Sequence, residues 1–129
     1  MSASRSVAVT GSISPDQAWE RYAVIDRWPS WSPPIERVEA NEPRLTAGMT
    51  GVLYLLGGVQ IGFVVNAVDH ERRTWSWLVN AGPLSMTLQH EILERVGDGS
   101  VATLTVDGAL PLTLIYPEVA RLALYRLVH

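Results

Sequence analysis

From Ile35 to Ala109 the chain runs as short β-like segments joined by links too short to hold a crossover helix. Candidate strands cover 35–41, 50–57, 59–69, 73–80, 84–96 and 101–109, joined by NEPRLTAG, the pair Gly57 and Gly58, HERR, AGP and GDGS. Parallel neighbours need a connection of a dozen or more residues, so links of this length make successive strands antiparallel neighbours. One more strand precedes the run. Ser4 to Ile13 alternates, with Val7, Val9 and Ile13 on one phase, which is the signature of a half-buried strand.

Between that first strand and Ile35 the period changes. In SPDQAW, Ser14 stands as N-cap, Pro15 at the first helical position, Asp16 in the first turn and Gln17 where a capping box wants Glu or Gln. A helix over about 15–25 follows, burying Ala18, Trp19, Tyr22 and Ile25 at helical spacing. DRWPSWSPPI, residues 26–35, then stops it: Pro29, Pro33 and Pro34 leave room for one short second helical turn. This connection carries Trp28 and Trp31, two of the five tryptophans. Loops ordinarily collect small and polar residues, so a pair of large rings here points to a segment that covers something apolar. After Pro111 the helical pattern returns, with Ile115, Val119, Leu122, Ala123 and Arg126 on one face, Glu118 and Arg121 one turn apart, and Pro117 either starting or kinking the helix. The expectation is an α+β domain spanning 1–129: a curved antiparallel sheet of about seven strands around a C-terminal helix, with two short helices after strand 1. A sheet wrapped around one helix leaves a cleft between them, the usual place for a small molecule.

Composition removes several alternatives. Ten cations and 13 acidic residues leave a net charge of −3, without the clustered basic residues that phosphate neutralisation needs, so no nucleic-acid partner is expected. Every cation is arginine, and there is no cysteine, which excludes Schiff-base and phosphate-loop lysines, thiol nucleophiles and thiolate metal sites. The longest apolar run, GVLYLLGGVQIGFVV, is broken by glycines and a glutamine, so no stable membrane insertion is expected. MSASRSVAVTG lacks the apolar core of a signal peptide, and the default location is cytoplasmic. With His70 in a turn, His129 at the end and His90 alone on its strand, neither a metal nor another cofactor is expected.

Alternation assigns the inner face, because successive strand side chains point to opposite sides. Leu84, Met86, Leu88, His90 and Ile92 share a phase, as do Trp75, Trp77, Val79 and Ala81, and Ala102, Leu104 and Val106. His90 therefore stands on an apolar face. The strands at 52–56 and 61–68 are apolar on both phases, so Tyr54, Gln60 and Asn66 fit either side. Two-sided apolarity there fits a lightly covered core or an outer face that meets another copy in a homodimer.

ISPDQAWERYAVIDRWPSWSPPIERVEA, LTAGMTG, VVNAVDHERRTWSW and LQHEILERVGDGSVATLTVDG together resemble the START-like (SRPBCC) superfamily, in its polyketide cyclase/dehydrase and lipid-transport branch. The resemblance implies a helix-grip fold with a cavity between the sheet and the terminal helix. It places Trp28, Pro29 and Trp31 at the second short helix near the cavity mouth. The candidate ligand-contacting residues are then Trp28, Trp31, Tyr54, Asn66, Trp75, Trp77, Met86, Leu88 and Tyr116. Polyketide-folding members rely on cavity arginines and tyrosines, whereas Arg44, Arg72, Arg73 and Arg121 here fall in turns or on helix surfaces, and Arg126 is either the exception on the apolar stripe or a surface residue reaching past the helix end. His90 is the one inward titratable group. An imidazole exchanges protons near neutral pH, and the wall of Trp75 and Trp77 would lower its pKa. It is either the general acid or base of a cyclisation, aromatisation or dehydration, or a satisfied core histidine. The function expected is binding of a small apolar or polyketide-like ligand, with such proton-transfer catalysis as its sharper form. The alternative is a non-catalytic carrier or sensor of a hydrophobic small molecule.

Overall fold

The structure, a computed structural model, describes residues 2–81, 83–109 and 112–129, with side chains for 4–80, 83, 85–108 and 120–129. The order is β1 (Ser2–Gly11), α1 (Pro15–Ala23), a 3-10 turn (Ile25–Arg27), α2 (Trp28–Trp31), β2 (Ile35–Ala40), β3 (Thr50–Leu55), β4 (Gln60–Asp69), β5 (Thr74–Ala81), β6 (Leu84–Glu94), β7 (Ser100–Ala109) and α3 (Leu112–Val128). The strands form one seven-stranded sheet in the order β1-β7-β6-β5-β4-β3-β2, with every neighbouring pair antiparallel. Short links thus place successive strands side by side, and β1 closes against β7. The third strand ends at Leu55, before the position expected from sequence, because Gly57 and Gly58 take φ of +84° and +81° to turn the chain.

Helix α1 starts as its sequence predicts. Gln17 N donates to Ser14 Oγ at 3.1 Å and Ser14 N donates to Gln17 Oε1 at 3.2 Å, a closed capping box. Its far end is satisfied by its own C-cap and by groups from beyond the helix. Val24 N donates to Glu20 O, the Trp31 indole to Arg21 O at 2.9 Å, the Trp28 indole to Tyr22 O at 2.8 Å and Leu45 N to Ala23 O at 2.8 Å. Each of the last carbonyls, which a helix leaves without an internal partner, therefore has a donor.

Helix α3 lies on β1 and β7 and ends in the same manner. Arg21 Nη1 donates to Arg126 O at 2.7 Å and Leu127 O at 3.0 Å, and Ile13 N donates to Val128 O at 3.1 Å. The guanidinium also sets a positive charge at the negative end of the helix. The approach to β1 is close enough that a Cβ on Gly11 would meet Val128 O at 2.0 Å, so this strand end admits no side chain. The buried stripe differs from the one expected. Ala120, Leu124, Leu127 and Val128 face the sheet, while Leu122 is 55 % exposed and Arg126 is exposed. A stripe at i, i+4, i+7 and i+8 displaces Leu122 and Arg126 to the solvent side. Ile115, Tyr116, Pro117, Glu118 and Val119 lie outside the residues whose side chains are described, although the helix runs through them.

Candidate functional site: the aromatic inner face

Register builds the inner face in rows across the sheet. One row is Val7, Leu104, His90, Trp75 and Val68; the next is Val106, Leu88, Trp77 and Val65; the next is Met86, Val79 and Phe63. On β5, β6 and β7 the rows follow the alternation read from sequence, and Met86, Leu88, Trp75, Trp77 and His90 are buried. Helices α1 and α2 lay Trp19, Tyr22, Trp28 and Trp31 over one end of these rows. Trp28 is 0 % exposed and sits against Phe63, Trp75 and Trp77, with ring centroids 5.7, 5.7 and 5.2 Å away. Tyr22 meets Trp31 edge-on at 5.2 Å and Trp75 at 5.4 Å. Offset and edge-on contacts of this kind each add about 0.5–1.5 kcal/mol beyond area burial. The two tryptophans of DRWPSWSPPI thus cap α1 with their N–H groups and fill the sheet's open end with their rings.

Two expected positions fall elsewhere. Tyr54 occupies the phase opposite buried Leu53, on the outer face, where Arg37 lies 3.7 Å over its ring and its hydroxyl donates to Glu39 at 2.9 Å. Asn66 is exposed, because the pairing of β4 with β5 shifts between Val65 and Ala67 and the extra residue is turned out. The arginines behave as expected: Arg44 makes a two-pronged pair with Glu20, Arg72 lies near Asp69 and Arg73 pairs with Asp16. Arg5 was not singled out, yet it shares the phase of Val7 and pairs across from Val106, placing an exposed cation at the β1 edge of the inner face. Simple alternation from Val7 carries that signal.

His90 is held from both sides. The Trp77 indole donates to His90 Nε2 at 3.1 Å, and Tyr22 Oη lies 3.1 Å from His90 Nδ1. An indole N–H can only donate, so Nε2 accepts, the ring proton sits on Nδ1, and Nδ1–H donates to the tyrosine oxygen. Trp75 stacks on the imidazole at 4.4 Å with planes 10° apart. Burial pushes the pKa of His90 down from 6.5 to about 3, so the ring is neutral near pH 7. Protonation would charge a buried ring and set a second N–H against the indole N–H. Among the described residues the buried polar side chains are His90 and Ser100, and no arginine, aspartate or glutamate is buried. No group of three or more His, Asp or Glu that could hold a metal is found among the described residues.

The other histidines serve elsewhere. His70 accepts the Trp19 indole N–H at 3.1 Å, and His129 stacks on Tyr125. A groove of about 270 Å3 lies along the side of β5 to β7 that carries Ser76, Gln89, Glu91, Thr103 and Thr105, and Trp75 and His90 also contribute to its lining. Among the described residues no helix is long and apolar enough to cross a membrane.

Comparison with known proteins agrees with the fold. The crystal structure of Ara h 8.0201 superposes with a TM-score of 0.74 over 92 % of this chain and 88 % of that one, at 16 % identity, a likeness of fold alone. No curated protein sequence matches the chain. The family model described as polyketide cyclase / dehydrase and lipid transport matches residues 2–125. With that match over nearly its whole length, on a sheet wrapped against a C-terminal helix, the chain belongs to the polyketide cyclase/dehydrase and lipid-transport family within the START-like superfamily.

Proposed function

We propose that the protein binds a small, largely apolar molecule against the inner face of its sheet and holds it without covalent chemistry. The observation that carries this reading is the state of His90: both ring nitrogens are engaged by Trp77 and Tyr22, and burial keeps the ring neutral. A general acid or base near pH 7 needs a pKa near the working pH and a nitrogen within reach of the substrate. His90 in this setting offers neither. An inner face of Val79, Met86, Leu88, Leu104 and Val106, with no buried ion among the described residues, suits an apolar guest that is sheltered from water. Trp28, Trp31, Trp75 and Trp77 form the aromatic end of that site, and Met86 and Leu88 its aliphatic wall.

Native mass spectrometry of the protein purified from its source tests this. A one-to-one noncovalent adduct of a small molecule is expected. Protein entirely free of adduct, whose thermal midpoint no apolar probe raises, would contradict binding. Once the adduct is identified, His90→Gln separates carrier from catalyst. Gln can accept from Trp77 and donate to Tyr22, so retained binding with no turnover in either form supports the carrier. Turnover in the wild type that His90→Gln abolishes would replace the carrier with a cyclase-like enzyme.

A further inference from the structure

Four of the five indole N–H groups have protein acceptors: Trp19 on His70 Nδ1, Trp28 on Tyr22 O, Trp31 on Arg21 O and Trp77 on His90 Nε2. The fifth, Trp75 Nε1–H, is buried without a partner among the described residues, on a residue only 2 % exposed. It lies at the centre of the cluster, with His90 stacked on its ring, Trp77 at 5.0 Å and Trp28 at 5.7 Å. None of these neighbours can accept. His90 Nε2 already takes the Trp77 proton, His90 Nδ1 carries its own, and indoles have no acceptor atom. A buried donor left unpaired costs about 1–3 kcal/mol, a cost that an acceptor brought in by a guest would recover.

We infer that Trp75 Nε1–H is the polar recognition point of the inner face and selects guests with a neutral acceptor oxygen, such as a ketone, ester, ether or hydroxyl group on an apolar frame. This rests on the proposed binding role and specifies its ligand class. A carboxylate seated at this donor is disfavoured, because no buried cation stands among the described residues and an ion taken out of water without a partner is heavily penalised. A plain hydrocarbon leaves the donor unpaired.

The test compares 2-octanone, n-octane and octanoate as probes on the intact protein, with the indole 15N–1H resonances assigned by single Trp→Phe substitutions. The inference predicts that 2-octanone moves the Trp75 indole proton downfield more than any other indole and that n-octane does not. It further predicts that Trp75→Phe lowers the ketone-to-alkane affinity ratio about tenfold, the size of one hydrogen bond, whatever the accompanying change in alkane affinity. Octanoate should bind more weakly than the ketone. An unchanged ratio in Trp75→Phe, or a Trp75 indole already bonded to an ordered water and unmoved by the ketone in the wild type, overturns the inference and leaves apolar binding intact. Binding of none of the three probes defeats the proposed function itself. The resonance shift is read on the wild type, so the inference stays testable if Trp75→Phe folds poorly.

Discussion

Strands β5, β6 and β7 carry two opposite chemistries on one backbone. Their inner side presents Trp75, Trp77, Leu88, His90, Leu104 and Val106, all buried; their outer side presents Thr74, Ser76, Gln89, Glu91, Thr103 and Thr105, none of them buried. The outer hydroxyls and amides can exchange partners with water, so their arrangement is loosely constrained: Ser6 and Thr105 make a 2.9 Å pair that water can replace. On the inner side each polar atom must find a protein partner or remain a cost. That is why Trp77, His90 and Tyr22 form a chain of bonds there, and why the unpaired Trp75 N–H is conspicuous. The difference teaches that functional information concentrates on the face where polar groups have no alternative to the protein or its guest.

Breaking the inner face at its centre has the largest expected effect. Trp28→Ala removes a fully buried ring and the donor to Tyr22 O, and should cost about 3–5 kcal/mol, read by urea denaturation at pH 7. A cost under about 1 kcal/mol would mean the ring is not packed as described. Next comes acid sensitivity. The unfolded chain binds a proton at His90 near 6.5, the folded protein only near 3, so between these values the unfolded state holds more protons. His90 is therefore a destabilising influence that grows as pH falls from 6.5 toward 3, at up to about 1.4 kcal/mol per unit, and is absent above 6.5. His90→Gln should reduce the stability loss between pH 6.5 and 4.5 by about 2–3 kcal/mol; an unchanged loss would show that His90 does not titrate on unfolding as described.

A finer cut keeps the ring and removes only its N–H. Trp31→Phe leaves an aromatic side chain over Tyr22 but deprives Arg21 O of its donor, for an expected loss of about 1–2 kcal/mol. If it matches Trp28→Ala, ring packing rather than capping dominates at α2. On the outer face, Thr105→Val should change stability by less than about 0.5 kcal/mol, and a loss above about 1 kcal/mol there would erase the contrast between the two faces.

Much of this architecture was legible in the chain because its signals are local. Period-two alternation set the inner phase of β5, β6 and β7, short links set their order, and Ser14, Pro15 and Gln17 announced α1 within four residues. What stayed hidden depends on partners far along the chain. Trp28 and Trp31 read as a cover for something apolar, but their use as caps for α1 emerges only when the chain doubles back. Arg21 closes α3 from 105 residues away, and His90 is held by hydrogen-bond partners 13 and 68 residues away. The extra residue in β4 that turns Asn66 outward leaves no mark in an apolar run, and the stripe of α3 is ambiguous in sequence because Leu122 fits the period as well as Leu124 does.

The central claim, that the guest sits on the inner face, is tested most directly by methyl NMR of the wild-type protein with bound 2-octanone. The account predicts intermolecular contacts from the probe to the methyls of Met86, Leu88 and Val106, with the outer-face methyls of Thr103 and Thr105 unaffected. Contacts confined to Thr103 and Thr105, in the groove along the outer side of the sheet, would contradict it.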